Sequence, residues 1–238
     1  MSSDLNRNFA KQVQAARPVF DRPQAEPRGF YADTDYELLN RQFDGLSPDE
    51  ILKYTLERAS NPVVFTNFRP LAIAFLVSVT QIHNSIPIIW IDHGFNTLAT
   101  YRHIDRVVAQ YKLNLQVYTP KMSAANYLAL HDEIPSIGAP EHAAFSSSVK
   151  LEPFDRAMRD FNPDVWLTGI RHDQNVRRKQ LNIFTPGSHD SVRVAPMFQL
   201  TSSDIEKMIS AQGLPDEYDY YDPTKGEQHR ECGIIFET

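Results

Sequence analysis

The chain has 238 residues, enough for one large α/β domain or two small ones. Its 42% hydrophobic content suits an ordinary core, and a net charge of −6 without a long basic run argues against nucleic-acid binding. No apolar run approaches the roughly 20 residues of a membrane span, and the polar opening Met1-Ser2-Ser3-Asp4 lacks the apolar centre of a secretion signal, so a cytoplasmic protein is expected.

Residues 1–35 are polar, contain Pro18, Pro23 and Pro27, and read as an extended or loosely helical arm available to a partner subunit. Ser47-Pro48-Asp49-Glu50 then opens a helix, with Ser47 as cap, Pro48 at the first helical position and Glu50 completing a capping box. From residue 62 the pattern alternates. Pro62–Thr66 is a short β-branched run and reads as a buried strand, followed by an apolar segment of helical length over Leu71–His83. Ile86–Asp92 is a second strand, Thr97–Leu113 a second helix of this series, and Leu115–Tyr118 a third strand. Phe154, Ala157, Met158 and Phe161 fall on one face of a helix over Leu151–Phe161. Asp164–Ile170 is a fourth strand and Arg193–Phe198 a fifth. A last helix over Ser203–Gln212 is assigned a capping box from Ser203 and Glu206, with Gly213 as its stop.

Strands separated by helices imply βαβ units. The expected fold is therefore α/β, a single doubly wound, mostly parallel sheet with helices on both faces. Such sheets bind ligands at the carboxyl ends of their strands, near the switch in strand order. The loops of interest are Thr66–Pro70, Asp92–Thr97, Tyr118–Ser123 and Gly169–Arg178.

In the first loop, Thr66, Asn67, Phe68 and Arg69 precede a helix whose N-terminus would offer N–H groups to an anion, although taken alone they read better as a plain strand–helix connection. In the second, Asp92 either caps a turn or meets a ribose or base edge, and Gly94 permits close backbone approach to a ligand. His93 reads as a phosphate donor or an exposed loop residue. The third cluster, Gly169 to Lys179, gathers Arg171, His172, Gln174, Arg177, Arg178 and Lys179 at the end of a buried strand. Guanidinium groups there suit phosphate or sulfate, because the planar fork makes paired hydrogen bonds to such anions.

Cys232 is the only cysteine, so an internal disulfide and a cysteine-rich metal site are excluded. It stands beside Glu231 and Arg230 in a polar tail. Placement alone leaves two readings: an incidental exposed thiol, or a nucleophile whose thiolate is favoured by nearby positive charge. No metal site is expected, and His83, His103, His131, His142 and His189 read as scattered surface or helix-face residues.

Four pieces, Ile86–Asp105, Lys112–Tyr118, Lys150–Arg178 and Arg230–Gly233, together resemble the phosphoadenosine phosphosulfate (PAPS) reductase family, within the adenine-nucleotide alpha-hydrolase-like group. The resemblance runs from about residue 62 to the end. It implies a nucleotide-binding domain over residues 46–215, an arm and helix over 1–45 that contacts a homodimer partner, and a flexible tail over 216–238 carrying the nucleophile Cys232. It implies that Cys232 attacks the sulfur of PAPS, with Glu231 and Arg230 accompanying it, and that thioredoxin or glutaredoxin releases sulfite. Arg171 and Arg178 match positions holding the phosphosulfate, while Thr66, Asn67, Phe68, Asp92 and Gly94 match the nucleotide loops. The cluster-bearing relatives carry extra cysteines that this chain lacks, so no bound cofactor and no iron–sulfur cluster are expected.

The chain departs from the family pattern at Arg69, where the family has glycine, at His93 in place of threonine and at His172 in place of arginine. Its Gly213–Cys232 stretch is also short. These departures keep two other readings open: a divergent sulfonucleotide- or ATP-using relative, and a non-catalytic nucleotide-binding protein.

Overall fold

Pro62–Thr66 (β1) becomes the hub of a six-stranded sheet, in a computed structural model that describes residues 34–225. The other strands are Ile88–Ile91 (β2), Leu115–Tyr118 (β3), Val165–Thr168 (β4), Phe184–Pro186 (β5) and Val192–Val194 (β6), in the order β3-β2-β1-β4-β6-β5. β1 pairs in parallel with both β2 and β4, so strand order reverses at β1 and leaves a crevice beyond its carboxyl end. Among the described residues, only the β5–β6 pairing is antiparallel.

Alternation along the strands sorts the core into two layers. Val64, Ile88, Trp90, Val165, Leu167, Val192 and Val194 face one side. There they meet the helices Tyr36–Gln42 (α1), Pro48–Arg58 (α2), Ala72–Ile82 (α3), Leu98–Tyr111 (α4) and Ser202–Gln212 (α8), through Leu39, Ile51, Leu52, Ile104, Val107 and Ile205 among others. Val63, Phe65, Ile89, Ile91 and Trp166 face the other side and meet Phe154, Ala157, Met158 and Phe161 of Glu152–Phe161 (α7). Both faces are thus covered, as the near-continuous apolar strands require. Ala124–His131 (α5) and Pro140–Ser146 (α6) lie between β3 and α7.

The capping box of Ser47 and Glu50 forms, and Gly213 ends α8 in the left-handed region at φ 61°. Other boundaries differ from expectation. The last helix begins one residue earlier, and its box uses Thr201 and Asp204 rather than Ser203 and Glu206. The expected strand over Arg193–Phe198 stops at Val194, because Pro196 brings no N–H and the chain turns back through a Phe198-to-Ala195 bond. Its partner β5 is three residues long and ends in Pro186, too short to show as a strand pattern. α5 buries no side chain, so it carries no apolar stripe to read.

The helix leading to β4 starts earlier than expected, in a wide turn. Ser147–Leu151 forms a π-helix directly ahead of α7. Pro153 lacks the amide that a regular turn would direct to the Val149 carbonyl, and the amide of Glu152 reaches instead to Ser147. The wide turn buries Val149 and Lys150.

Candidate active site

A cavity opens at the carboxyl ends of β1 and β4, the two strands that flank the switch in direction of winding. Phe65, Phe75, Ile91, Trp166 and Met197 give it an apolar floor, and Arg69, Lys150, Arg171, Arg178 and Lys225 bring positive charge to its walls. An apolar floor with few, convergent charged groups is the form of a small-molecule site.

The β1 loop is tightly wound. The Phe68 amide donates to the Thr66 hydroxyl at 3.2 Å, and the Arg69 amide to the Asn67 side-chain oxygen at 3.3 Å. Phe68 and Leu71 both take positive φ, 48° and 71°, which strains a residue with a Cβ. Thr66, Asn67 and Arg69 line the cavity. Phe68 does not: it is 3% exposed, packs in the core and meets Trp90 edge-on at 5.8 Å. At the start of α3 the Leu71 amide donates to both oxygens of Asp216 and the Ala72 amide to the Arg69 carbonyl at 3.1 Å, so neither of these two faces an anion.

The β2 loop stands outside the cavity. Asp92 Oδ1 accepts from the Gly94 amide, the Asn96 side chain and the Tyr101 hydroxyl, each at 2.9 Å. This is the turn-capping role, with Gly94 at φ 83°. Burial and the Asp92 charge push the Tyr101 phenol up to about 12, so it stays a donor. His93 is neither exposed nor available as a charged donor. It is 2% exposed, and its Nδ1 accepts the Phe95 amide at 3.1 Å. Burial, and then the nearby Lys150 charge, push it down to about 3, so the ring is neutral.

The β4 loop brings two buried arginines to the cavity. Gly169 is there for space: a Cβ would lie 3.2 Å from the Phe75 ring. Arg171 and Arg178 are each 4% exposed. The Arg171 guanidinium donates to Asp173 at 3.3 Å and to the Ser202 hydroxyl at 2.9 Å, while Asp173 accepts the Ser202 amide at 2.5 Å. The Gln174 side-chain oxygen accepts from the Arg171 amide at 3.2 Å and from the Arg178 guanidinium, tying both arginines to one residue. Gly169, Arg171, Gln174 and Arg178 all line the cavity. His172 does not. Its ring meets the Phe198 carbonyl at 2.8 Å.

Sequence reading missed Lys150 and Lys225. Lys150 is 4% exposed and its ammonium lies 2.5 Å from Asp222. The available signal was spacing: Lys150 stands four residues before Phe154 and so continues the buried stripe of α7 backwards. Lys225 arrives with the segment after Gly213, which runs across the strand ends and is described as far as that residue. Cys232, Glu231 and Arg230 lie outside the described residues. Among the described residues, no helix is long and apolar enough to cross a membrane, and no group of three His, Cys, Asp or Glu side chains is placed to hold a metal ion.

Comparison with known proteins gives a consistent picture. The family model described as the phosphoadenosine phosphosulfate reductase domain matches residues 61–220. A phosphoadenosine 5′-phosphosulfate reductase of Xanthomonas oryzae pv. oryzae is 30% identical over 182 residues, covering 76% of this chain and 75% of that protein. The protein of the same name from Synechococcus sp. is 28% identical over 179 residues, covering 74% and 77%. The crystal structure of PAPS reductase from Candida auris, a phosphate complex, superposes with a TM-score of 0.66 at 22% identity, covering 76% of this chain and 86% of that one. FMN adenylyltransferase from Candida glabrata shares the fold more distantly, with a TM-score of 0.52 at 14% identity and coverage of 88% and 63%. The fold is that of the adenine-nucleotide alpha-hydrolase type.

Proposed function

The chain belongs to the phosphoadenosine phosphosulfate reductase family, and we propose on that footing that it reduces 3′-phosphoadenylyl sulfate to sulfite and adenosine 3′,5′-bisphosphate through Cys232. The observation that carries the reading is the cavity at the switch point, with Lys225 on its wall. Cys232 follows seven residues later, and a stretch of that length spans at most roughly 25 Å. The short link after Gly213 is therefore long enough for a thiol to serve this cavity.

The chemistry runs in two steps. The Cys232 thiolate attacks the sulfonate sulfur, and the bond from that sulfur to the bridging phosphate oxygen breaks. The electron pair leaves on the 5′-phosphate of adenosine 3′,5′-bisphosphate, and an S-sulfocysteine remains. A thiolate of thioredoxin or glutaredoxin then attacks the Cys232 sulfur and expels sulfite. Its second thiol resolves the mixed disulfide, so the dithiol supplies both electrons. Arg171 and Arg178, pre-positioned by Asp173, Ser202 and Gln174, stabilise the negative charge that builds on the leaving phosphate. Arg230 lowers the Cys232 thiol toward its reactive form, and Glu231 accompanies it. No iron–sulfur cluster takes part, because the chain has one cysteine and the chemistry uses it. The remaining parts of the reading are a cytoplasmic homodimer and an electron-donating thioredoxin or glutaredoxin partner.

Sulfite formation from PAPS with thioredoxin and its reductase, compared with Cys232→Ser, tests the reading: the parent forms sulfite and the variant does not. Arg69-Pro70, set in the cavity wall where the family has glycine, motivates the alternative of a divergent sulfonucleotide- or ATP-using relative. Activity that survives Cys232→Ser would favour that alternative.

A further inference from the structure

Residues 214–225 form no helix or strand, yet they are bound down across the carboxyl ends of the strands. Asp216 takes the Leu71 amide at the start of α3. The Asp219 carbonyl accepts the Thr97 and Thr100 hydroxyls at the start of α4, at 2.7 and 2.8 Å. Asp222 meets Lys150 in the π-helix, and the Pro223 carbonyl lies 3.1 Å from His142 Nε2 in α6. The segment is thus a strap that crosses the ends of β1 and β2, reaches the helices ahead of β4 and delivers Lys225 to the cavity.

The fastening at Lys150 and Asp222 differs from the others. Both side chains are almost fully buried, at 4% and 2% exposed. Asp222 Oδ1 also accepts the Thr224 amide at 3.1 Å and the Thr224 hydroxyl at 2.6 Å. A buried ion pair adds little to stability over an apolar pair of the same size, because both charges lose their water. Its value is that it fixes one arrangement: either charge left alone is costly to bury. Lys150 belongs at once to this pair and to the cavity wall.

We propose that Asp222, through Lys150, is a positioning residue that latches the strap and so fixes Lys225 at the cavity wall, seven residues ahead of Cys232. The inference rests on the reductase reading above. Asp222 does not line the cavity. It acts on the rate of sulfur transfer by fixing the chain seven residues before the thiol, and small misplacement of a reacting group costs much in rate.

The test separates binding from transfer. Asp222→Asn keeps shape and removes the charge. The expected result is unchanged affinity for adenosine 3′,5′-bisphosphate, a single-turnover sulfonation of Cys232 slowed about 10- to 100-fold, and faster amide exchange over residues 214–225. Asp222→Glu restores part of the rate. Thr224→Val removes one donor to Asp222, and slows transfer in the same direction if Asp222→Asn fails to fold. Unchanged transfer in these variants overturns the proposal, and so does a loss of affinity equal to the loss of rate. If the parent forms no adduct with PAPS, the reductase reading fails separately. Amide exchange then decides, and unchanged exchange over the strap in Asp222→Asn overturns the latch.

Discussion

The carboxylate of Asp216 caps the amide of Leu71, 145 residues earlier in the chain, at 3.0 and 3.1 Å. Leu71 sits at positive φ with no cap from its own side chain, so the start of α3 relies on a residue beyond the last helix. Burial raises the Asp216 carboxyl above its ordinary value, with the Leu71 amide opposing. Asp216→Ala removes the cap and is predicted to cost about 1 kcal/mol of stability in urea unfolding, the usual scale for a lost helix N-cap.

Acid sensitivity follows from the groups around Lys150. His93 is held down to about 3 by burial and then by Lys150, against an ordinary value near 6.5. The unfolded chain therefore binds a proton that the folded chain refuses, and stability falls as pH drops from about 6.5 toward 3. Burial alone would raise the Asp222 carboxyl, but the Lys150 ammonium overrides it and holds the group well below the carboxylate range. Its contribution is present above the unfolded value and is lost at lower pH, in the same direction. Unfolding midpoints between pH 7 and pH 4 should decline, and His93→Gln should flatten the upper part of that decline. A flat profile in the parent would contradict the assignment.

Gly187 is required by volume. A Cβ there would lie 2.5 Å from Trp166 Nε1 and 2.7 Å from Ser191 Oγ. Trp166 Nε1 is itself a buried donor without a hydrogen-bond partner among the described residues, so the indole N–H has no hydrogen bond to give up in moving. It is packed between Phe65 and Phe154 and has little room to do so. Gly187→Ala is predicted to lose about 1–3 kcal/mol, the cost of overpacking, with a change in tryptophan fluorescence because Trp166 floors the cavity.

The arginines make a sharper test of the site. Arg178→Ala should weaken adenosine 3′,5′-bisphosphate by about 2 kcal/mol, roughly 30-fold, the scale of a charge-assisted bond. Arg171→Lys should also weaken it, since an ammonium cannot reach Asp173, Ser202 and an anion together. Equal titrations for parent and variants would remove the β4 loop from the site.

The strands β1, β2 and β4 were legible because each is a short run of apolar residues with its centre buried on both faces, such as Ile88-Ile89-Trp90-Ile91. Arg171 and Arg178 were legible because basic residues crowd one strand end. Asp92 was legible as a turn cap, one of the two roles open to it, whereas His93 was legible as a loop residue but not as a buried, neutral acceptor of the Phe95 amide. The strap was invisible because its fastenings join residues far apart: Asp216 to Leu71, Asp222 to Lys150. Its polar, irregular sequence carries no period that would reveal docking.

The most direct measurement is the intact mass of the protein after incubation with PAPS in the absence of reductant, beside Cys232→Ser. The account predicts a sulfonate adduct on the parent alone, discharged as sulfite when thioredoxin is added. An unmodified parent that still binds adenosine 3′,5′-bisphosphate would contradict it, because the cavity would then hold the nucleotide without passing sulfur to Cys232.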